Sequence, residues 1–141
     1  MFLLDTNVVS ELRKGPKADK VVMANMADKD PQTLFLSVIS VLELEIGVKR
    51  IERRDKDQGR RLRSWLTGQV KQTFAQRILP FEVQTAEICA GFHIPDPRPE
   101  RDAMIAATAR QHGLTILTRN VSDFQALDVP INNPWTYQAD A

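Results

Sequence analysis

Apolar positions fall into short runs that stop at polar clusters, and these alternate with longer stretches of helical spacing. Met1 to Leu4 is apolar and halts at Asp5-Thr6-Asn7, the signature of a short strand with a polar end. Val8 to Lys14 predicts a short helix closed by Gly15-Pro16. Ala18, Val21, Val22 and Met26 recur near helical spacing across Lys17 to Asp28. Leu34 to Leu36 reads as a second strand after Pro31. Ser37 or Ser40 then caps a helix running to about Arg54, with Glu43 at capping-box spacing from Ser40. Asp55 to Gln76 predicts another helix with Leu62, Trp65, Leu66 and Val70 on one face, weakened by Gly59 and Gly68. Arg77 to Pro80 is a strand candidate and Glu82 to Phe92 a helix. Pro95, Pro97 and Pro99 hold off regular structure until Asp102. Ala103 to His112 is a helix closed by Gly113, Leu114 to Thr118 a strand, Asp123 to Leu127 one helical turn, and Val129 to Ile131 an edge strand.

Strands that alternate with helices imply a parallel sheet covered on both faces. The chain shows no internal repeat, low-complexity tract or linker, so the expectation is one α/β domain over residues 1–141. Hydrophobic residues at 43% and charged residues at 26% are a globular balance, not a disordered one. One cysteine, Cys89, excludes an internal disulfide framework. The longest apolar run is Ala103 to Ala107, too short to span a bilayer, and the N-terminus lacks a signal-peptide pattern. A soluble cytoplasmic protein is expected.

The net charge of +1 hides an uneven distribution: Lys49 to Arg63 holds eight basic residues. That block reads either as a solvated helix face paired with Glu52, Asp55 and Asp57, or as a phosphate-contacting surface. Arg50, Arg53, Arg54, Arg60 and Arg61 are its candidate RNA contacts. Only Trp65 lies nearby, so base stacking is not advertised.

Ligands of open parallel sheets bind at the carboxyl ends of the strands. Two expected strands end there in polar residues, at Asp5-Thr6-Asn7 and at Thr118-Arg119-Asn120, with Asp123 just beyond. Glu43 lies among Val41, Leu42 and Leu44, and Asp102 precedes the most apolar helix. Carboxylates beside core positions are costly unless paired or coordinated. Four acids facing one cleft would repel each other, and hard Mg²⁺ or Mn²⁺ relieves such repulsion. Each acid also has a plainer reading: Asp5 as a turn cap, Glu43 as the capping-box partner of Ser40, Asp102 as a first-turn acid. No His or Cys spacing supports zinc.

The stretches Phe2-Leu3-Leu4-Asp5-Thr6-Asn7-Val8-Val9-Ser10-Glu11, Leu36 to Val48, Arg77 to Phe81, Asp102 to Ala109, Leu117 to Phe124 and Asn133-Pro134-Trp135 cover nearly the whole chain. In this order they resemble the PIN-domain ribonucleases, specifically the VapC/FitB-type toxins of bacterial toxin–antitoxin pairs. The resemblance implies a PIN-like three-layer sandwich whose central parallel sheet has about four or five strands. It implies a metal-dependent endoribonuclease that leaves a 5′-phosphate and a 3′-hydroxyl, acting on tRNA or other structured RNA. By it, Asp5, Glu43 and Asp102 match acids that hold Mg²⁺ or Mn²⁺, as one ion or two. The family's fourth acid falls at Asn120 in some members and at Asp123 in others. Asp123 is taken as the fourth acid, with Thr6, Asn7, Thr118 and Asn120 in support.

The same resemblance implies a cognate antitoxin with a DNA-binding N-terminal part and an inhibitory C-terminal segment. It also implies a homodimer, with helices of residues 17–28 and 40–54 as interface candidates, and allows a larger toxin–antitoxin assembly. The proline-rich loop from His93 to Arg101 departs from the family pattern, and places Arg98 and Arg101 as further candidate RNA contacts. The alternatives are a catalytically silent PIN domain that binds RNA or a protein, and a housekeeping RNA-processing nuclease. A phosphotransferase of the haloacid-dehalogenase type needs a second Asp where this chain has Asn7.

Overall fold

The computed structural model describes residues 1–136. Its sheet has five strands in the order β3-β2-β1-β4-β5, with every neighbouring pair parallel. The strands are β1 (Phe2–Leu4), β2 (Leu34–Ser37), β3 (Ile78–Leu79), β4 (Thr115–Leu117) and β5 (Ile131–Asn132). The chain therefore builds outwards on one side from β1 to β3, then crosses to the other side for β4 and β5. The crossing leaves β1 in the middle, with β2 and β4 as its neighbours.

Alternation along the strands divides the core into two layers. Leu4, Leu36 and Leu117 face one layer, and Leu3 and Ile116 face the other. The first layer is closed by Val8 and Val9 of α1 (Thr6–Leu12), Val22 and Met26 of α2 (Lys20–Ala27), Leu44 and Val48 of α3 (Val38–Arg54), and Leu66, Val70 and Phe74. The second is closed by Ile105, Ala106 and Ala109 of α7 (Glu100–His112) and Phe124 of α8 (Val121–Gln125). Behind α7, Cys89 of α6 (Val83–Phe92) packs on Ala103 and Ala107. The result is the expected three-layer arrangement, with small alanines letting α7 lie close between the sheet and α6.

Helix starts are set by side-chain caps. Asp5 caps α1, Asp19 caps α2 and Ser37 caps α3, each accepting from a backbone N–H one to three residues on. Asp55 ends α3 and also caps α4 (Lys56–Trp65), so the chain folds back on itself with no spare residue. Gly59 makes this hairpin possible. A Cβ there would stand 2.6 Å from Glu52 Cα, so only glycine lets α4 approach α3 this closely. Across the same contact Arg63 donates to Glu45 at 2.9 Å and to Glu52 at 3.0 Å, and Lys71 donates to Glu45 at 2.7 Å. These two cations hold the Glu45 carboxyl down at about 2.

Several boundaries differ from the sequence reading. The expected capping box from Ser40 to Glu43 does not form, because Ser37 is the cap and Ser40 lies inside α3, buried with its hydroxyl unbonded among the described residues. Glu43 is thereby free for other partners. The expected helix Asp55 to Gln76 is divided: a π-helical turn at Leu66–Val70 separates α4 from the short α5 (Lys71–Thr73). The wider turn still delivers Leu66, Val70 and Phe74 to the core. Helix α7 begins at Glu100 and not Ala103, directly after Pro99. The last strand is Ile131–Asn132, while Val129 is buried just before it. Residues 137–141 of the expected 1–141 domain lie outside the described residues. No helix among the described residues is long and apolar enough to cross a membrane.

The two exposed or buried helix glycines predict opposite stability effects. Gly47 has open space around its Cβ position and is exposed on α3, so Gly47→Ala should stabilise by about 0.5–1 kcal/mol. Gly59→Ala should cost about 1–3 kcal/mol, because backbone and not a flexible side chain blocks the methyl. Urea denaturation of both variants measures the two shifts.

Candidate active site

The polar ends of β1 and β4 lie side by side because the two strands pair in parallel, with Leu4 opposite Leu117. Asp5 follows β1 and is only 6% exposed. Its Oδ1 accepts from the Thr6 backbone N–H at 2.8 Å. Its Oδ2 accepts from the Thr118 hydroxyl at 2.8 Å and from Asn7 Nδ2 at 3.3 Å. Thr118, fully buried after β4, also accepts from the Asn120 backbone N–H at 3.0 Å. Asn7 Oδ1 accepts from the Arg119 backbone N–H at 3.3 Å, which ties the two strand ends together. Asp5 is thus fixed by groups from both strands.

Glu43 reaches the same place from α3. Thr6 donates its hydroxyl to Glu43 Oε1 at 2.8 Å. The Arg101 guanidinium lies 3.7 Å from Glu43 Oε2. Asp102 comes from the first turn of α7, where the helix N-terminus favours an acid. Asp5, Glu43 and Asp102 all line one cleft of about 410 Å³, with Thr6, Asn7 and Asn120.

The electrostatics tell the same story as the geometry. Burial raises the Asp5 carboxyl above its ordinary range, and the Glu43 and Asp123 charges add to this against the hydrogen bonds from Thr118 and Thr6. Asp102 is pushed up to about 6, by burial first and then by Asp5, Asp123 and Glu43. The four acids singled out from sequence therefore share one field. They do not share one shell: Asp123 is exposed on α8 and does not line the cleft. Among the described residues no three acids, histidines or cysteines converge into a ready coordination sphere. The donor set is nonetheless carboxylate oxygen in a site short of positive charge, which is the chemistry that suits a hard divalent cation.

The candidate RNA contacts separate. Arg101 flanks the cleft beside Glu43, whereas Arg98 is exposed in the proline-rich loop, its backbone N–H bonded to His93 Nδ1 at 3.1 Å. Arg50, Arg53, Arg54, Arg60 and Arg61 are exposed, and none of them lines the cleft. Arg60 pairs with Asp57, and Arg61 borders a separate hollow with Arg13 and Trp65. The cleft also holds residues to which sequence reasoning gave no role: Ser10, Glu11, Lys14, Arg119 and Trp135. Ser10, Glu11, Arg119 and Trp135 stood in the motifs that carried the resemblance, and that position was their only signal.

The PIN domain family matches residues 2–129. The chain belongs to the PIN-domain family. Within it, this PIN domain is 36% identical to VapC ribonuclease Y4jK of Sinorhizobium fredii, covering 96% of this chain and 98% of that protein. It is 37% identical to toxin FitB of Neisseria gonorrhoeae, covering 96% and 99%. The crystal structure of FitAcB from Neisseria gonorrhoeae matches with a TM-score of 0.86 at 36% identity, over 96% of this chain and 99% of that one. A structure of FitAB bound to a DNA fragment matches with a TM-score of 0.87 at 34% identity, over the full length of both chains. The likeness thus places this PIN domain with the VapC/FitB-type toxins of toxin–antitoxin systems.

Because Asp102 holds its proton to about pH 6 when folded and to about pH 3.8 otherwise, the folded state binds the extra proton in that window. The Asp102 contribution to stability then falls as pH rises from about 4 to 6. Asp102→Asn removes this penalty. In metal-free buffer it should raise stability at pH 7.5 by about 1 kcal/mol, allowing for partial solvent screening, and leave it nearly unchanged at pH 4. Thermal melts at the two pH values check the sign.

Proposed function

We propose that this PIN domain is the toxin of a toxin–antitoxin pair and hydrolyses RNA phosphodiester bonds with the help of a divalent metal. The observation that carries the reading is the gathering of Asp5, Glu43 and Asp102 in one cleft at the carboxyl end of a parallel sheet. The relatives named VapC ribonuclease and toxin FitB support it.

In this reading Asp5, Glu43 and Asp102 would hold Mg²⁺, or Mn²⁺ in its place, and Asp123, the fourth acid expected from sequence, would add its charge from outside the cleft. A cation bound there would supply Lewis acidity for attack of water at phosphorus and would offset the charge that builds on the phosphate oxygens. The chain supplies the positioning. Thr118 and the Thr6 N–H keep the Asp5 carboxylate from rotating away. The Thr6 hydroxyl aims Glu43, and Arg101 tempers its charge. Asn120 offers a neutral amide at the cleft edge, so the site carries less negative charge than one with a fourth lining acid.

Partners follow the same logic. Solved structures similar to this chain include FitAB bound to DNA, and a toxin–antitoxin complex from Klebsiella pneumoniae at 27% identity and a TM-score of 0.68. The proposed partner is a cognate antitoxin with a DNA-binding N-terminal part and an inhibitory C-terminal segment that covers the cleft. A homodimer through α2 and α3 is also proposed. Met23 on α2 and Val38 and Leu42 on α3 are among the large apolar side chains left exposed, and Val38 and Leu42 lie one turn apart.

Purified protein should cut RNA with Mg²⁺ or Mn²⁺, stop on chelation and resume when metal is restored. Asp5→Asn and Asp102→Asn should each lower the rate more than about 100-fold while keeping the fold. Wild-type cleavage by Asp5→Asn would overturn the site. Metal-dependent cleavage absent from wild type, with RNA still bound, would favour a silent binding domain. Leu42→Lys should shift the light-scattering mass from dimer to monomer, and a wild-type monomer at micromolar concentration would remove the dimer.

A further inference from the structure

An anionic cleft that takes a polyanion needs cations at its rim. Two of the three cations beside this cleft are already engaged. Lys14 bonds Glu11 at 2.9 Å, and Arg101 faces Glu43. Arg119 lines the cleft, is exposed, and forms no ion pair at contact distance with a described carboxylate, Glu11 feeling its charge only from further off. It follows Thr118, the residue that fixes Asp5, and its own backbone is held by Asn7. Its guanidinium lies over the Trp135 ring, 5.3 Å from the centroid. Trp135 is anchored in turn. It packs on the core, and Asn25 Nδ2 bonds the flanking Pro134 and Thr136 carbonyls at 2.8 and 3.0 Å. An arginine held over an aromatic ring keeps its charge and its donors while losing less freedom on binding.

We propose that Arg119, braced by Trp135, is the substrate-binding residue that grips a phosphate of the RNA strand next to the bond being cut. The inference rests on the nuclease reading above and adds to its carboxylate-lined cleft a guanidinium that is braced before the strand arrives. Arg119 positions backbone and reads no base, so it lends affinity without sequence choice. The sequence-dense block at Arg50, Arg53, Arg54, Arg60 and Arg61 is not what meets the strand at the cleft.

The test measures binding apart from cleavage. In the Asp5→Asn background without divalent ions, a fluorescent unstructured RNA oligonucleotide reports affinity by anisotropy. Arg119→Ala should weaken binding about 10-fold and flatten the salt dependence by about 0.7 in log–log slope, one phosphate's share for a single strand. Arg119→Lys should restore the slope and only part of the affinity, because it keeps the charge and loses the fork. Arg61→Ala, the same charge removed away from the cleft, should stay within about two-fold. In the wild-type background Arg119→Ala should raise KM with a smaller effect on kcat. Unchanged affinity and slope in a folded Arg119→Ala would overturn the assignment, as would equal losses in Arg61→Ala, which reduce the effect to net charge. Either result stands apart from failure of the nuclease reading, which shows as absence of cleavage by the wild-type protein.

Discussion

A carboxylate that is almost removed from water, beside other carboxylates, has to be restrained or it turns outward. Asp5 is restrained by Thr118, and the restraint exists only because β1 and β4 are neighbours in the sheet. β1 occupies the middle position, so its end is flanked by polar residues from β4 on one side and by the start of α3, after β2, on the other. Topology thus does what no local sequence signal does: it brings residues 5, 43, 102 and 118 within reach of one hollow. The alanines of α7 contribute to the same end. Ala103, Ala106, Ala107 and Ala109 are all fully buried, which seats the helix deep enough for Asp102 in its first turn to face Asp5.

The charge distribution separates stability from chemistry. Around Arg63, opposite charges meet at hydrogen-bond distance, and Glu45 is held at about 2. That network locks α4 onto α3 and leaves no residual field to use. In the cleft the pattern reverses: like charges are grouped, burial adds to their repulsion, and Asp102 rises to about 6. A fold retains such an arrangement at a cost to its own stability, and on the proposed function a bound cation would offset that cost.

Much of this was legible in the chain, for identifiable reasons. Apolar runs that stop at polar residues marked β1, β2 and β4, and the stopping residues Asp5 and Thr118 became the site. The acids were legible because carboxylates beside core positions are expensive. What escaped notice was whatever depends on contact between distant segments. Gly59 looked like a flaw in a helix, yet its lack of a Cβ is what the α3–α4 approach requires. Ser40 and Glu43 had capping-box spacing, but Ser37 starts the helix one turn earlier, and Glu43 turns to Thr6 instead. Charge density drew attention to residues 49–63, although density along a sequence carries no information about which face a side chain takes.

Arg119 and Trp135 illustrate the last point most directly. Neither lies in a charged or aromatic cluster of the sequence, and sixteen positions separate them. They meet because β5 pairs with β4, which returns the chain alongside the strand end that carries Arg119. A cation on its own ring at the rim of an anionic hollow has a different standing from the arginines spread along the exposed faces of α3 and α4. The first is ordered before a ligand arrives, and the second must lose side-chain freedom for every contact made. On that ground affinity at the cleft depends on where charge is held still and not on how much of it there is.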